Sequence, residues 1–147
     1  MVIPKWTKLN VSGATNDIEL PKPVYGHTSC AYKDNIYTFG GSFMYDKKRM
    51  IRESTNQMSI FNTVTRQYER FVPKGSTIAA RKNHLAAVYM SSMLVIGGQL
   101  QSGKYCNEIY VFDLQYMDWG HLPCKTEIEP FSKGACVSVC VNAHKKG

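Results

Sequence analysis

Four histidines, five cysteines and scattered carboxylates are the side chains here that could do chemistry, and their spacing limits which chemistry is open to them. The cysteines are Cys30, Cys106, Cys124, Cys136 and Cys140. A zinc set wants close thiolate pairs such as Cys-x-x-Cys, and a disulfide framework wants an even number. Neither pattern is present. Cys30, Cys136 and Cys140 stand in apolar, strand-like runs, where a thiol packs as a small hydrophobe. A reducing, intracellular and cytoplasmic setting is the simplest reading, although one disulfide beside three free thiols stays open on spacing alone.

His27 and His84 recur at equivalent places in two similar segments, but no Asp, Glu or Cys recurs beside them. A metal centre needs three or four converging ligands, so hydrogen-bonded structural histidines are expected instead. Glu127 and Glu129 lie in the Pro-flanked stretch Thr126–Pro130, which reads as a solvated connection rather than a general acid/base pair. There is no Gly-x-Ser-x-Gly elbow, phosphate loop or His-Glu-x-x-His helix, and Gly97-Gly98 lacks the third glycine of a dinucleotide fingerprint. The sequence therefore predicts no catalytic residue, metal or cofactor.

Recognition is the better prospect. The segment Ser42–Thr55 mixes Phe43, Met44, Tyr45, Met50 and Ile51 with Lys47, Lys48, Arg49 and Arg52. Aromatic and arginine side chains together suit an interface anchor, and binding residues concentrate on loops held by a rigid scaffold. Tyr45, Lys48, Arg49 and Arg52 are the expected contacts to an acidic protein partner. The formal net charge of +7 comes from scattered cations rather than a basic arm, so nucleic acid is not the expected partner. No apolar run approaches the roughly 18 residues of a membrane helix, and the N-terminus carries no signal-peptide stretch.

What must position these side chains is an internal repeat. His27–Gly41 lies over His84–Gly98 without a gap, with the histidines, Tyr32 and Tyr89, and the paired glycines coinciding. Asn56–Tyr68 then lies over Asn107–Trp119 at an offset of 51 rather than 57, so the first copy has a longer loop after its glycine pair. A weaker third copy begins near Ser132–Cys140, and Trp6 stands upstream like the end of an earlier one. Each copy reads as four short strands. The first two are joined by a tight polar turn at Lys33-Asp34-Asn35 or Ser91-Ser92. The second strand, Ile36–Phe39 or Met93–Ile96, is apolar on both faces and wants cover from both sides. The third alternates, with Met58 and Ile60, or Ile109 and Val111, against more polar neighbours. Asn62 or Asp113 then opens a turn, and the fourth strand starts near Tyr68 or Trp119. Helical periodicity is absent, so the predicted class is all-β.

Gly40-Gly41 followed by Phe61-x6-Tyr68, and Gly97-Gly98 followed by Phe112-x6-Trp119, resembles the kelch repeat of β-propeller proteins. The histidine before the first strand and the asparagine five residues before the first aromatic fit the same pattern. The resemblance implies four-stranded antiparallel blades whose first strands line a central channel, and a structural role for His27, Gly40, Gly41, Phe61, Tyr68, His84, Gly97, Gly98, Phe112 and Trp119. Departures from the pattern are Tyr68 for Trp, Asn62 for Asp, and Ala135 for the third histidine. Functionally it implies a non-catalytic protein-interaction scaffold. The alternative is part of a propeller enzyme or carbohydrate-active domain whose active residues lie in other blades. In the copper oxidases that resemble this family a Tyr–Cys cross-link is required, yet the strand carrying Cys30 and Tyr32 recurs without its cysteine.

The resemblance also sets a count. Residues 1–23 would be the tail of a preceding blade with a connector, 24–72 and 73–123 two blades, and 124–147 a connector and the first strand of a further, incomplete blade. Propellers close with about four to eight blades of roughly 50 residues. Some three blades do not close a ring, so the chain reads as a fragment completed by the parent chain or by self-association. Expressed alone, residues 1–147 should self-associate, aggregate or melt without cooperativity; a sharp two-state transition from a monodisperse monomer would contradict this.

Overall fold

Runs of four or five residues with apolar side chains on alternate positions, punctuated by Gly, Asn and Asp, favour short strands and tight reversals. The computed structural model describes residues 7–13, 20–43, 53–69, 71, 74–75 and 78–123. All regular structure among them is β. The strands are β1 (Ser12–Gly13), β2 (Val24–Tyr25), β3 (Thr28–Tyr32), β4 (Asn35–Phe39), β5 (Ser42–Phe43), β6 (Met58–Asn62) and β7 (Gln67–Glu69). They continue as β8 (Lys74–Gly75), β9 (Arg81–Lys82), β10 (Leu85–Tyr89), β11 (Ser92–Ile96), β12 (Gln99–Leu100), β13 (Ile109–Asp113) and β14 (Asp118–Leu122).

Two antiparallel meanders result, β3-β4-β6-β7 and β10-β11-β13-β14. Each gains a fifth, two-residue strand running parallel to its outer edge: β1 beside β7, and β8 beside β14. That addition was not expected; it is backbone from upstream of each meander, and it pairs part of an edge that would otherwise be open. Beyond the glycine pairs, β2 pairs with β5 and β9 with β12, prolonging the inner hairpins past a kink. The registers of the two copies correspond: Cys30, Tyr37 and Ile60 align across one sheet as Ala87, Leu94 and Val111 do across the other.

Local turn chemistry explains the reversals. Asn62 Oδ1 accepts hydrogen bonds from the amides of Val64 and Thr65 at 3.0 and 2.9 Å. Asp113 Oδ1 does the same for Gln115 and Tyr116 at 2.8 and 2.9 Å. A short side-chain acceptor thus substitutes for the next strand's carbonyls until pairing resumes.

The core is the interface between the two sheets. Tyr37, Phe39, Met58 and Ile60 of the first sheet and Met93, Val95, Phe112 and Trp119 of the second are all buried in one cluster. The Phe39 ring lies 5.1 Å from Trp119, and Phe112 lies 4.8 Å from Trp119 and 5.2 Å from Phe71. Each such side chain, fully buried, contributes on the order of 1.5–3 kcal/mol. The opposite faces differ. Phe61 and Tyr68, repeat equivalents of Phe112 and Trp119, are only half-buried, and so are Leu94, Ile96, Ile109 and Val111, equivalents of the buried Tyr37, Phe39, Met58 and Ile60. The alternation expected in β13 is flattened for the same reason: its Ile109 and Val111 face has no second sheet against it among the described residues.

Gly40 shows why the junction tolerates no side chain. It has φ +66°, and a Cβ there would sit 2.7 Å from the Arg81 carbonyl oxygen and 2.9 Å from His84 Cε1, both across the sheet interface. Gly40→Ala should therefore cost about 2–4 kcal/mol, combining left-handed strain with overpacking. Urea unfolding of the full-length protein checks this; a loss under half a kilocalorie, at the level of a typical surface substitution, would show that the sheets separate easily.

Candidate functional site

The polar groups of the molecule converge where the two sheets meet beside the glycine pairs. His84 precedes β10 and is 2% exposed, held between the sheets. Its Nε2 shares a 2.7 Å hydrogen bond with Thr28 Oγ1 of the neighbouring sheet, and its ring meets Phe39 edge-on at 5.3 Å. Burial, with smaller contributions from the Arg81 and His27 charges, lowers its pKa from 6.5 to about 4. Its Nδ1 is buried without a hydrogen-bond partner. His27, the repeat equivalent, is exposed instead. The same position in two copies thus has two environments, because only one of them has a described sheet packed on its N-terminal side.

Arg81 carries no motif in the repeat, standing where the first copy has Val24, and sequence reading passes over it. It is wholly buried. Its Nε donates to Ala79 O at 3.1 Å, one terminal nitrogen donates to Gly97 O at 3.0 Å and to Cys106 Sγ at 3.2 Å, and the other donates to Glu108 Oε2 at 3.0 Å. The guanidinium also lies 5.0 Å over the Tyr110 ring. A buried cation needs such a set, since one without partners is strongly destabilising. The Arg81 backbone ties the sheets together as well: its carbonyl accepts the Gly41 amide at 2.9 Å and its amide donates to Thr55 O at 3.3 Å. The available signal was an arginine three residues before the marker histidine with a carboxylate just after the marker Asn107.

Cys106 donates weakly to Gly98 O at 3.4 Å, and burial pushes its thiol pKa up against the pull of Arg81. The thiol form is favoured, which is not the state of a nucleophile. Cys30 is buried and, like Cys106, unbridged. Among the described residues, no three His, Cys, Asp or Glu side chains group as metal ligands. His121 is exposed, with its ring 4.9 Å from Tyr110. Cys124, Cys136, Cys140, Glu127, Glu129 and His144 lie outside the described residues, as do Trp6 and the third copy.

Tyr45, Lys48, Arg49 and Arg52 also lie outside the described residues, but the base of their loop does not. Ser42 and Ser54 face each other in an isolated bridge, the Phe43 amide and Ser42 Oγ both donate to Glu53 O, and the Thr55 amide donates to Gly41 O at 2.9 Å. The Ser54 amide donates to Gln101 Oε1, in the turn that follows β12, at 2.6 Å. Both ends of the segment are therefore clamped at the sheet junction, on the same end of the molecule as the glycine pairs. The opposite end carries the hairpin turns with exposed Tyr89, Met90 and Tyr116. No helix among the described residues is long and apolar enough to cross a membrane.

Comparison with known proteins assigns this architecture. The family described as KLHDC2/KLHL20/DRC7 Kelch-repeats domain matches residues 2–145. The chain belongs to the kelch-repeat family. Similar proteins include the Caenorhabditis elegans putative protein tag-53, 28% identical over 119 residues, covering 78% of this chain and 9% of that protein. Human host cell factor 1 is 27% identical over 125 residues, 84% of this chain and 6% of that protein. The chain thus spans less than a tenth of the length of either relative. The solved structure of YjhT superposes with a TM-score of 0.57 at 15% identity, over 67% of this chain and 37% of that one, which agrees in fold. The two sheets are kelch blades of β-propeller type, side by side.

The kelch junction makes stability depend on pH. Below pH 6.5 the unfolded chain protonates His84 while the folded chain does not until about pH 4, so stability is lost as pH falls through that window. The loss reaches about 3 kcal/mol for this group. His84→Gln in the full-length protein should flatten the acid limb of a denaturation series between pH 7 and 4; an unaltered limb would show that the histidine does not carry it.

Proposed function

We propose that this chain is part of a non-catalytic kelch scaffold that recognises an acidic protein segment through the loop between Ser42 and Thr55. The observation carrying the reading is the clamped base of that loop. Paired serines, the Glu53 carbonyl and Gln101 hold its two ends against two blades, so whatever it presents is displayed from a stiff platform. Its composition, with Tyr45 beside Lys48, Arg49 and Arg52, matches a carboxylate-rich surface, and arginine and tyrosine carry disproportionate binding energy at interfaces. The charge of +7 would speed encounter with such a partner.

The chemistry at the junction favours this over catalysis. The buried histidine is neutral and fully enclosed, and burial holds the half-buried thiol beside Arg81 in its protonated form. In this reading residues 24–72 and 73–123 are successive blades, while 1–23 and 124–147 belong to neighbours completed by the parent chain, in a cytoplasmic protein.

With a partner captured by the full-length protein, replacing Tyr45, Lys48, Arg49 and Arg52 together by alanine should weaken binding by at least about tenfold and reduce its salt dependence. Unchanged affinity together with an unchanged salt slope would overturn the proposal.

A further inference from the structure

Comparing the two blades at the Arg81 position shows a second feature, which does not rest on the loop. In the second blade the guanidinium is seated by Gly97 O, Cys106 Sγ, Glu108 Oε2 and Ala79 O, against the Tyr110 ring. The repeat offsets map these onto Gly40, Thr55, Gln57, Lys22 and Ser59 of the first blade, and Arg81 itself onto Val24. A cleft of about 70 Å³ opens there, and all six of these residues line it, with the Tyr68 ring forming a further wall. That volume is enough for the tip of one side chain. Val24 ends at its methyl groups, so the first blade has the seat without the side chain that fills its counterpart.

We infer that this cleft is a guanidinium seat, taking the tip of an arginine side chain from outside the blade. The acceptors keep their order: the Gly40 carbonyl for that of Gly97, the Thr55 hydroxyl for the Cys106 sulfur, the Gln57 amide oxygen for the Glu108 carboxylate, and the Lys22 carbonyl for that of Ala79. Thr55 Oγ1 already accepts the Gln57 amide at 3.1 Å and has a second lone pair to offer. A planar fork of donors matches acceptors set for arginine, and the single point charge of lysine does not. Gln57 is neutral where Glu108 is charged, and Lys22 adds a cation at the wall. The seat is therefore weaker than its counterpart. Lys22 is exposed, where solvent and salt screen its charge.

The test uses the full-length protein and two probes, N-acetyl-arginine methylamide and N-acetyl-lysine methylamide, at equal millimolar concentrations, with thermal melting as the readout. The arginine probe should raise the melting temperature and the lysine probe should not. Gln57→Glu should lower the half-saturating arginine-probe concentration about tenfold by adding a charged acceptor. Val24→Arg should abolish the response by filling the seat from within. A response in the unaltered protein assigns the arginine to another molecule. A response that emerges only after Arg49→Ala and Arg52→Ala assigns it to this chain. Equal responses to both probes, or none with Gln57→Glu and none with the loop alanines, would overturn the inference.

Discussion

Each blade is a thin sheet with apolar side chains on both faces, and the molecule exists because two such faces can cover each other. Phe39, Phe112 and Trp119 form the centre of that contact, with Met93 and Val95 wholly enclosed behind them. A single twisted meander has no second layer of its own, so its hydrophobic stabilisation comes almost entirely from its neighbours. This dependence makes a propeller a cooperative stack rather than a string of independent units. It also explains why equivalent residues differ in burial: Tyr68 and Trp119 occupy one position in the repeat, but only Trp119 has a described blade over it.

Polar groups at the junction serve the same contact. Gly40 and Gly41 let backbone approach backbone closely enough for the Gly41 amide to reach Arg81 O and for Thr55 O to accept the Arg81 amide. His84 crosses the seam to Thr28, and the guanidinium of Arg81 fills the corner with four acceptors around it. Aromatic packing alone would permit sliding; directional bonds at one end set the register between blades. His84 is enclosed at this junction and kept neutral, and burial favours the thiol form of Cys106.

The junction also clamps the ends of the loop between Ser42 and Thr55, and the cleft beside Val24 lies on that side too. Small differences between copies, such as Val24 for Arg81 and Gln57 for Glu108, distinguish the two blades at that corner.

The repeat was legible in the residues themselves. His27 over His84 and Phe61-x6-Tyr68 over Phe112-x6-Trp119 located every long strand to within a residue or so, since strand length, alternation and turn chemistry are local properties. Asn62 and Asp113 were readable as turn acceptors for the same reason. Arg81 was not, because a lone arginine beside Lys82 and Asn83 looks solvated until two distant segments bring Gly97, Cys106 and Glu108 around it. Nor could the sequence say that His84 is enclosed while His27 is exposed. Position within a blade follows from neighbours along the chain; burial and protonation follow from the sheet packed against it, which only the tertiary arrangement supplies.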